Sequence, residues 1–251
     1  VTDTYNGGAI MSSSEITLAE IFAEKNYKTG IFGKWHLGDN YPSRPSDQGF
    51  QESLIHLAGG IGQVGDFTNY YAGNESYFDP TLWHNNEIKK YEGYCSDIFT
   101  DEALKFIEQN KSNQFFCYLS FNAPHTPLQV PEKYYDLYKD IDPSNFYEEV
   151  TSEMTERDVN DAKKIYGMVT NIDENFGKLL YKLEELDIKE NTIVIFLTDN
   201  GPQQTRYVSN LRGLKSQVYN GGIKVPLYFS YPKLYKKAKD IDFFGAHIDV
   251  L

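Results

Sequence analysis

The chain has 251 residues, 40 % of them hydrophobic, with 20 Tyr and 16 Phe; that is enough for one large α/β domain with a sizeable core. Thirty-six acidic residues against 24 Lys and Arg give a formal net charge of −12, which argues against non-specific binding to nucleic acid or to an anionic membrane surface. No apolar run approaches the ~20 residues that span a bilayer, and the spacing of the only two cysteines, Cys95 and Cys117, leaves their pairing open.

Residues 1–13 are polar and rich in Gly and Ser, as loops are. Thr17 followed by Glu20 fits a capping box, and Leu18, Ile21 and Phe22 share one face of the helix it opens. Thr29–Phe32 is a strand candidate, ending in Gly33-Lys34-Trp35-His36-Leu37-Gly38. Residues 39–94 hold no sustained period and read as a long irregular excursion with room for short strands. Its aromatic residues, among them Phe67, Tyr70, Tyr71, Tyr77, Phe78 and Trp83, favour an ordered, substrate-facing wall. Within it Gly60-Ile-Gly62-Gln-Val-Gly65 matches G-x-G-x-x-G. No helix pattern follows, so the dinucleotide reading lacks its context.

Ser96–Gln109 carries an apolar helical face through Ile98, Phe99, Ala103, Phe106 and Ile107. Phe115–Phe121 reads as a buried strand that stops at Asn122-Ala-Pro-His125-Thr-Pro127. A short helix is expected near Glu132–Tyr138, and a long amphipathic one over Glu156–Leu186. Ile193–Leu197 is an unbroken apolar run, typical of a strand buried on both faces of a parallel sheet, and Asp199-Asn200-Gly-Pro ends it. A polar loop with Lys215, a turn at Asn220-Gly-Gly and a strand over Val225–Ser230 complete the order. Strands alternating with helices predict an α/β fold with a mostly parallel sheet flanked by helices on both faces.

In such sheets ligands bind beyond the carboxyl ends of strands. There the sequence collects Lys34 and His36, then His125, then Asp199 and Asn200, with Lys215 in the following loop. Taken singly, each has an ordinary explanation: a solvated lysine, a core-edge histidine, a turn. Together they describe chemistry. Asp and Asn oxygens suit a hard cation such as Ca²⁺ or Mg²⁺. Lysines bind tetrahedral oxyanions, and histidines donate to anions or protonate leaving groups. That set suits hydrolysis of a sulfate or phosphate ester.

These residues resemble the type I sulfatases, the formylglycine-dependent arylsulfatases. The matching blocks are Thr29-Gly-Ile-Phe-Gly-Lys-Trp-His-Leu-Gly38, Gln48-Gly-Phe50, Phe121-Asn-Ala-Pro-His-Thr-Pro127, Thr198-Asp-Asn-Gly-Pro202, Leu211-Arg-Gly-Leu-Lys215 and Asn220-Gly-Gly-Ile-Lys-Val-Pro226. The resemblance implies an alkaline-phosphatase-like fold and a sulfuric ester hydrolase, acting on a sulfated sugar or aryl compound. It implies that Lys34 bridges nucleophile and sulfate, that His36 hydrogen-bonds the nucleophile, that His125 and Lys215 hold the sulfate, and that Asp199 and Asn200 are two of the Ca²⁺ ligands. It also implies an exported protein, periplasmic, extracellular or lysosomal.

The departures lie at the ends. The family's nucleophile is a formylglycine made within Cys/Ser-x-Pro-x-Arg, and no such motif occurs in residues 1–251. Tyr41-Pro42-Ser43-Arg44 comes near, but Asn40 stands two before Pro42. The family's paired aspartates, which complete the metal site, have no counterpart either. The chain therefore reads as a single catalytic-domain fragment, 1–251, without the N-terminal nucleophile segment and the C-terminal subdomain, and inactive by itself. Two rivals stand beside this reading: a phosphoesterase or phosphonate hydrolase of the same superfamily, and a non-catalytic sulfatase-like binding domain. The single Asp-Asn pair and the two lysines favour sulfate over phosphonate.

Overall fold

The computed structural model describes residues 10–67, 75–146, 154–242 and 245–250. Tyr70 and Tyr71 of the aromatic excursion lie outside these described residues, as do residues 1–9 of the polar N-terminal stretch.

The main sheet has five strands in the order β4-β3-β2-β1-β5. Within it β1 (Lys28–Lys34) pairs in parallel with β2 (Glu52–His56) on one side and β5 (Phe115–Ser120) on the other. Beyond β2, β3 (Thr81–His84) and β4 (Glu87–Lys90) add antiparallel, so the sheet is mixed. The excursion over 39–94 is thus less irregular than its composition implies. It supplies β2, β3 and β4, strands of four or five residues that are too short to show a period.

Alternation along the central strands divides the core in two, because successive side chains leave a strand on opposite faces. Phe32 and Leu54 face α2 (Cys95–Gln109), where they meet Phe99, Ala103 and Phe106; Met168 and Leu183 of α4 (Glu156–Glu185) belong to the same cluster. Ile31 and Ile55 face the other way, onto Ala19 of α1 (Leu18–Glu24), Trp35 and Phe50. Helices cover both faces, as expected. The Thr17–Glu20 capping box is formed, each partner accepting from the other's backbone N–H at 3.1 and 2.8 Å. The long helix starts with a second box, Thr155–Asp158. A short helix, α3 (Glu132–Tyr135), packs against α4, where Gly167 passes close to the Tyr134 carbonyl. Two buried amides of α4, Asn171 and Asn175, donate to the Asp97 carboxylate on α2 at 2.9 and 2.7 Å. Both cysteines are free thiols.

The run at Ile193–Leu197 departs from expectation. It forms β6 (Val194–Leu197), which pairs antiparallel with β7 (Leu227–Ser230) in a separate two-stranded sheet. Residues of β6 alternate between half-buried and exposed, and all of β7 is exposed. A continuous apolar run reports that a strand prefers cover but not what covers it. Here Phe196 meets Phe176 of α4, while Ile195 and Leu197 on the opposite face stay open.

Candidate active site

The carboxyl ends of β1, β5 and β6 carry the predicted residues. Lys34 is the last residue of β1, and the chain turns sharply after it: His36 takes a φ of 57°, a left-handed conformation uncommon for a residue with a Cβ. Trp35 holds that turn, its Nε1–H directed at the carbonyls of Gly38 and Ser43, both at 2.9 Å. Ser120, at the end of β5, donates through Oγ to the Lys34 carbonyl at 2.8 Å, so the two strand ends are locked together.

His125 follows β5 in the segment Asn122–Pro127. Tyr77 donates its hydroxyl to the His125 carbonyl at 2.7 Å and accepts from the Asn122 amide at 2.5 Å. The His125 ring donates Nδ1–H to the Thr126 carbonyl at 2.8 Å, which leaves Nε2 as the free nitrogen of the neutral ring. At the third strand end, Gly201 N–H bonds Gly222 O at 2.9 Å and Lys215 N–H bonds Pro202 O at 2.7 Å. The loop bearing Lys215 is thereby docked on the Asp199-Asn200-Gly-Pro turn.

Electrostatics show how closely these groups gather. Burial, then the charge of Lys215, lowers the Lys34 ammonium from its ordinary value, and Asp199 partly restores it. His36 is lowered to about 4 by burial and by the charges of Lys34, His125 and Lys215. His125 is lowered by burial first and then by Lys34 and Lys215. Both imidazoles are therefore neutral at pH 7. Neither Lys34 nor Lys215 forms an ion pair among the described residues. The buried His36 Nε2 has no hydrogen-bond partner. Buried polar atoms are nearly always satisfied, so the orphan nitrogen of His36, close to two ammoniums that no carboxylate pairs, stands out among the described residues.

For a divalent cation the donors are right in kind and short in number. Asp199 and Asn200 offer hard oxygens, with Asp199 Oδ1 accepting from the Asn200 backbone at 2.9 Å. Among the described residues no group of three or more His, Cys, Asp or Glu is arranged to hold a metal, and Ca²⁺ takes six to eight oxygens. Two side chains do not close such a site.

Several residues at this edge carry no motif signal. His56, beside Lys34 in the β1–β2 register, is fully buried with both ring nitrogens unpartnered, its Nδ1 3.7 Å from Asp66. His247 places Nε2 2.8 Å from the Thr198 carbonyl, next to Asp199. The His56 register was open to inspection once β2 was known. The His247 contact depends on a long return of the chain that leaves no local pattern.

The sulfatase family model matches residues 4–251. The chain belongs to the sulfatase family. It is 29 % identical over 242 residues to an arylsulfatase of Hemicentrotus pulcherrimus, covering 88 % of this chain and 39 % of that protein. It is 30 % identical over 229 residues to an uncharacterized sulfatase of Schizosaccharomyces pombe, covering 74 % of this chain and 41 % of that one. Among solved structures, Ps i-CgsB in complex with k-i-k-neocarrahexaose superposes with a TM-score of 0.74 at 29 % identity, over 92 % of this chain and 50 % of that chain. This sulfatase chain thus spans about two fifths of the length of these two curated relatives. Its fold is the α/β, alkaline-phosphatase-like arrangement of the family.

Proposed function

We propose that this sulfatase chain forms most of the anion-binding half of a site that hydrolyses sulfate monoesters in a longer protein. The observation that supports it best is the gathering of Lys34, Lys215, His36 and His125 with no carboxylate paired to either lysine, in a chain whose net charge is −12. A local cationic pocket set against the global field is specific for an anion. Lys34 and Lys215 neutralise the sulfate oxygens, and that stabilisation grows as negative charge moves onto the ester oxygen in the transition state. His125, with Nδ1 committed to Thr126, presents Nε2 to the sulfate or the leaving alcohol. His36 Nε2 is available to a nucleophile. In this reading the nucleophile is a formylglycine carried on chain outside residues 1–251, and these residues alone do not turn over substrate.

Asp199 and Asn200 are proposed as two oxygen ligands of a divalent cation, Ca²⁺ or Mg²⁺, which when bound supplies further positive charge beside the sulfate. The substrate class proposed is a sulfated sugar or aryl sulfate. The sugar is favoured by the likeness to Ps i-CgsB, a protein solved with an oligosaccharide. An exported location fits both the substrate and the relatives; among the described residues no helix is long and apolar enough to cross a membrane.

The test is hydrolysis of 4-methylumbelliferyl sulfate and 4-methylumbelliferyl phosphate by the full-length protein. Release from the sulfate, lost on chelation and restored by Ca²⁺, is expected. Turnover of the phosphate alone would replace this reading with the phosphoesterase one, and turnover of neither with the binding-domain one.

A further inference from the structure

The glycine-rich stretch after β2 is left unexplained by anion binding, and the structure gives it a job. Gly60-Ile-Gly62-Gln-Val-Gly65 and the described residues up to Phe67 form a run of turns and bends. Asp66 closes it. Its side chain is 1 % exposed, and its carboxylate accepts from the backbone N–H groups of Gly62 at 2.9 Å, Phe67 at 3.1 Å and Leu57 at 3.5 Å. Gly62 and Gly65 have φ values of 79° and 96°, so glycine is required there by the backbone.

Gly59 and Gly60 differ. Neither has a positive φ, so any residue could adopt their backbone conformation. What they lack is room. A Cβ on Gly59 would stand 2.6 Å from His36 Cε1 and 3.0 Å from His36 Nε2. A Cβ on Gly60 would stand 2.7 Å from His125 Nδ1 and 2.8 Å from Gln63 Cδ. Two consecutive residues thus abut the two imidazoles of the site, one each. The rings come from different strand ends, and this loop is where their spacing is set.

We propose that the 57–66 loop is a positioning element: Gly59 and Gly60 seat the His36 and His125 rings, and the Asp66 carboxylate holds the loop in the shape that does so. The proposal rests on the sulfate-ester reading for its kinetic consequence but not for its geometry. An added methyl must displace a ring by about 1 Å to reach ordinary contact at 3.4–4 Å, and a misplacement of that size costs on the order of 10²-fold in rate.

The experiment compares full-length wild type with Gly59→Ala, Gly60→Ala and Gly177→Ala. Gly177 is a helical position with nothing within 4 Å of an added Cβ, and serves as the control. Imidazole C–H resonances and steady-state kinetics on 4-nitrophenyl sulfate are read for each. Gly59→Ala is expected to move the His36 resonances and Gly60→Ala those of His125, with His84 unmoved in both. In each variant kcat falls about 10²-fold while KM changes less than about threefold and the thermal midpoint stays near wild type; Gly177→Ala changes neither spectra nor rate. Unmoved His36 and His125 resonances, or an unchanged kcat, would overturn the proposal. Should the wild type hydrolyse no sulfate ester, the functional reading falls and the resonances alone decide the positioning role.

Discussion

Asp66 offers a quantitative test of the loop that is independent of catalysis. Burial raises its carboxyl to about 6 from an ordinary 3.8, opposed by the three backbone N–H groups it accepts from. A carboxyl raised on folding prefers to be protonated in the folded state. Folding therefore takes up a proton between about pH 4 and 6, and the associated stability is fully present below the unfolded value and lost as pH rises through about 6. Moving the carboxyl from 3.8 to about 6 corresponds, at 1.36 kcal/mol per tenfold change in proton affinity, to ~3 kcal/mol. His56, held well below 6.5 by burial, stays neutral in the folded state but binds a proton on unfolding below its ordinary value, so in either protein alone it opposes the Asp66 effect; being common to both, it drops out of the difference between them. Asp66→Asn removes the titration. The difference in stability, variant minus wild type, should thus rise by up to ~3 kcal/mol from pH 4 to pH 8, on top of a constant offset for the lost acceptor. Urea unfolding at a series of pH values measures it. Trp83 is the reporter, since it packs edge-on against Phe67, the residue after Asp66. A difference that stays flat across pH would refute the account of Asp66 as a strained, buried carboxyl.

Lys34→Met in the full-length protein should lower kcat on an aryl sulfate by about 10²–10³-fold, the usual loss for one preorganised donor to developing charge; Lys34→Arg should not restore it, because a planar fork does not replace a compact ammonium at a strand end. The His36 ring should titrate at about 4, followed by its Cε1–H resonance, and Lys34→Met should move that midpoint up, since Lys34 is the largest charge lowering it. A midpoint near 6.5 in the wild type would contradict the crowding described here. Asp97→Ala leaves the fully buried Asn171 amide without its acceptor and should destabilise the protein by roughly 2–3 kcal/mol in denaturant unfolding, with sulfate-ester kcat unchanged.

Much of this arrangement was legible in the chain, for physical reasons that differ from residue to residue. Thr17 and Glu20 announce α1 because capping is local, and α4 is plain because thirty residues are enough for a helical period to repeat. The positions of Lys34, His36, His125 and Asp199 at or just after strand ends follow from apolar runs that stop at turn-forming residues, and Lys215 lies in the loop after the last of these. What stayed hidden depends on pairing. Strands β2, β3 and β4 are too short to declare themselves, so His56, whose place beside Lys34 comes only from register, had no signature. The G-x-G-x-x-G match lacks the helix pattern a nucleotide loop needs, and that Gly59 and Gly60 face histidines is a matter of tertiary packing. The β6 run has the composition of a strand covered on both faces, but composition holds no record of which neighbour covers it.

The two-stranded sheet also bears on how stiff the site is. Lys34 and His36 hang from β1, whose Ile31 and Phe32 are wholly buried, and His125 from the neighbouring, half-buried β5. Asp199, Asn200 and Lys215 hang from a ribbon whose β7 strand is exposed and which, among the described residues, meets the core through Val194 and Phe196. A two-stranded ribbon is marginal by itself, and elements with few buried contacts open at the lowest free energy. Within residues 1–251 the two halves of the candidate site are therefore unequally supported, one by the core and the other by a ribbon that these residues leave largely open. On the sulfate-ester reading, the separation between Lys34 and Lys215 would then be set by whatever braces the ribbon rather than by the core beneath the histidines.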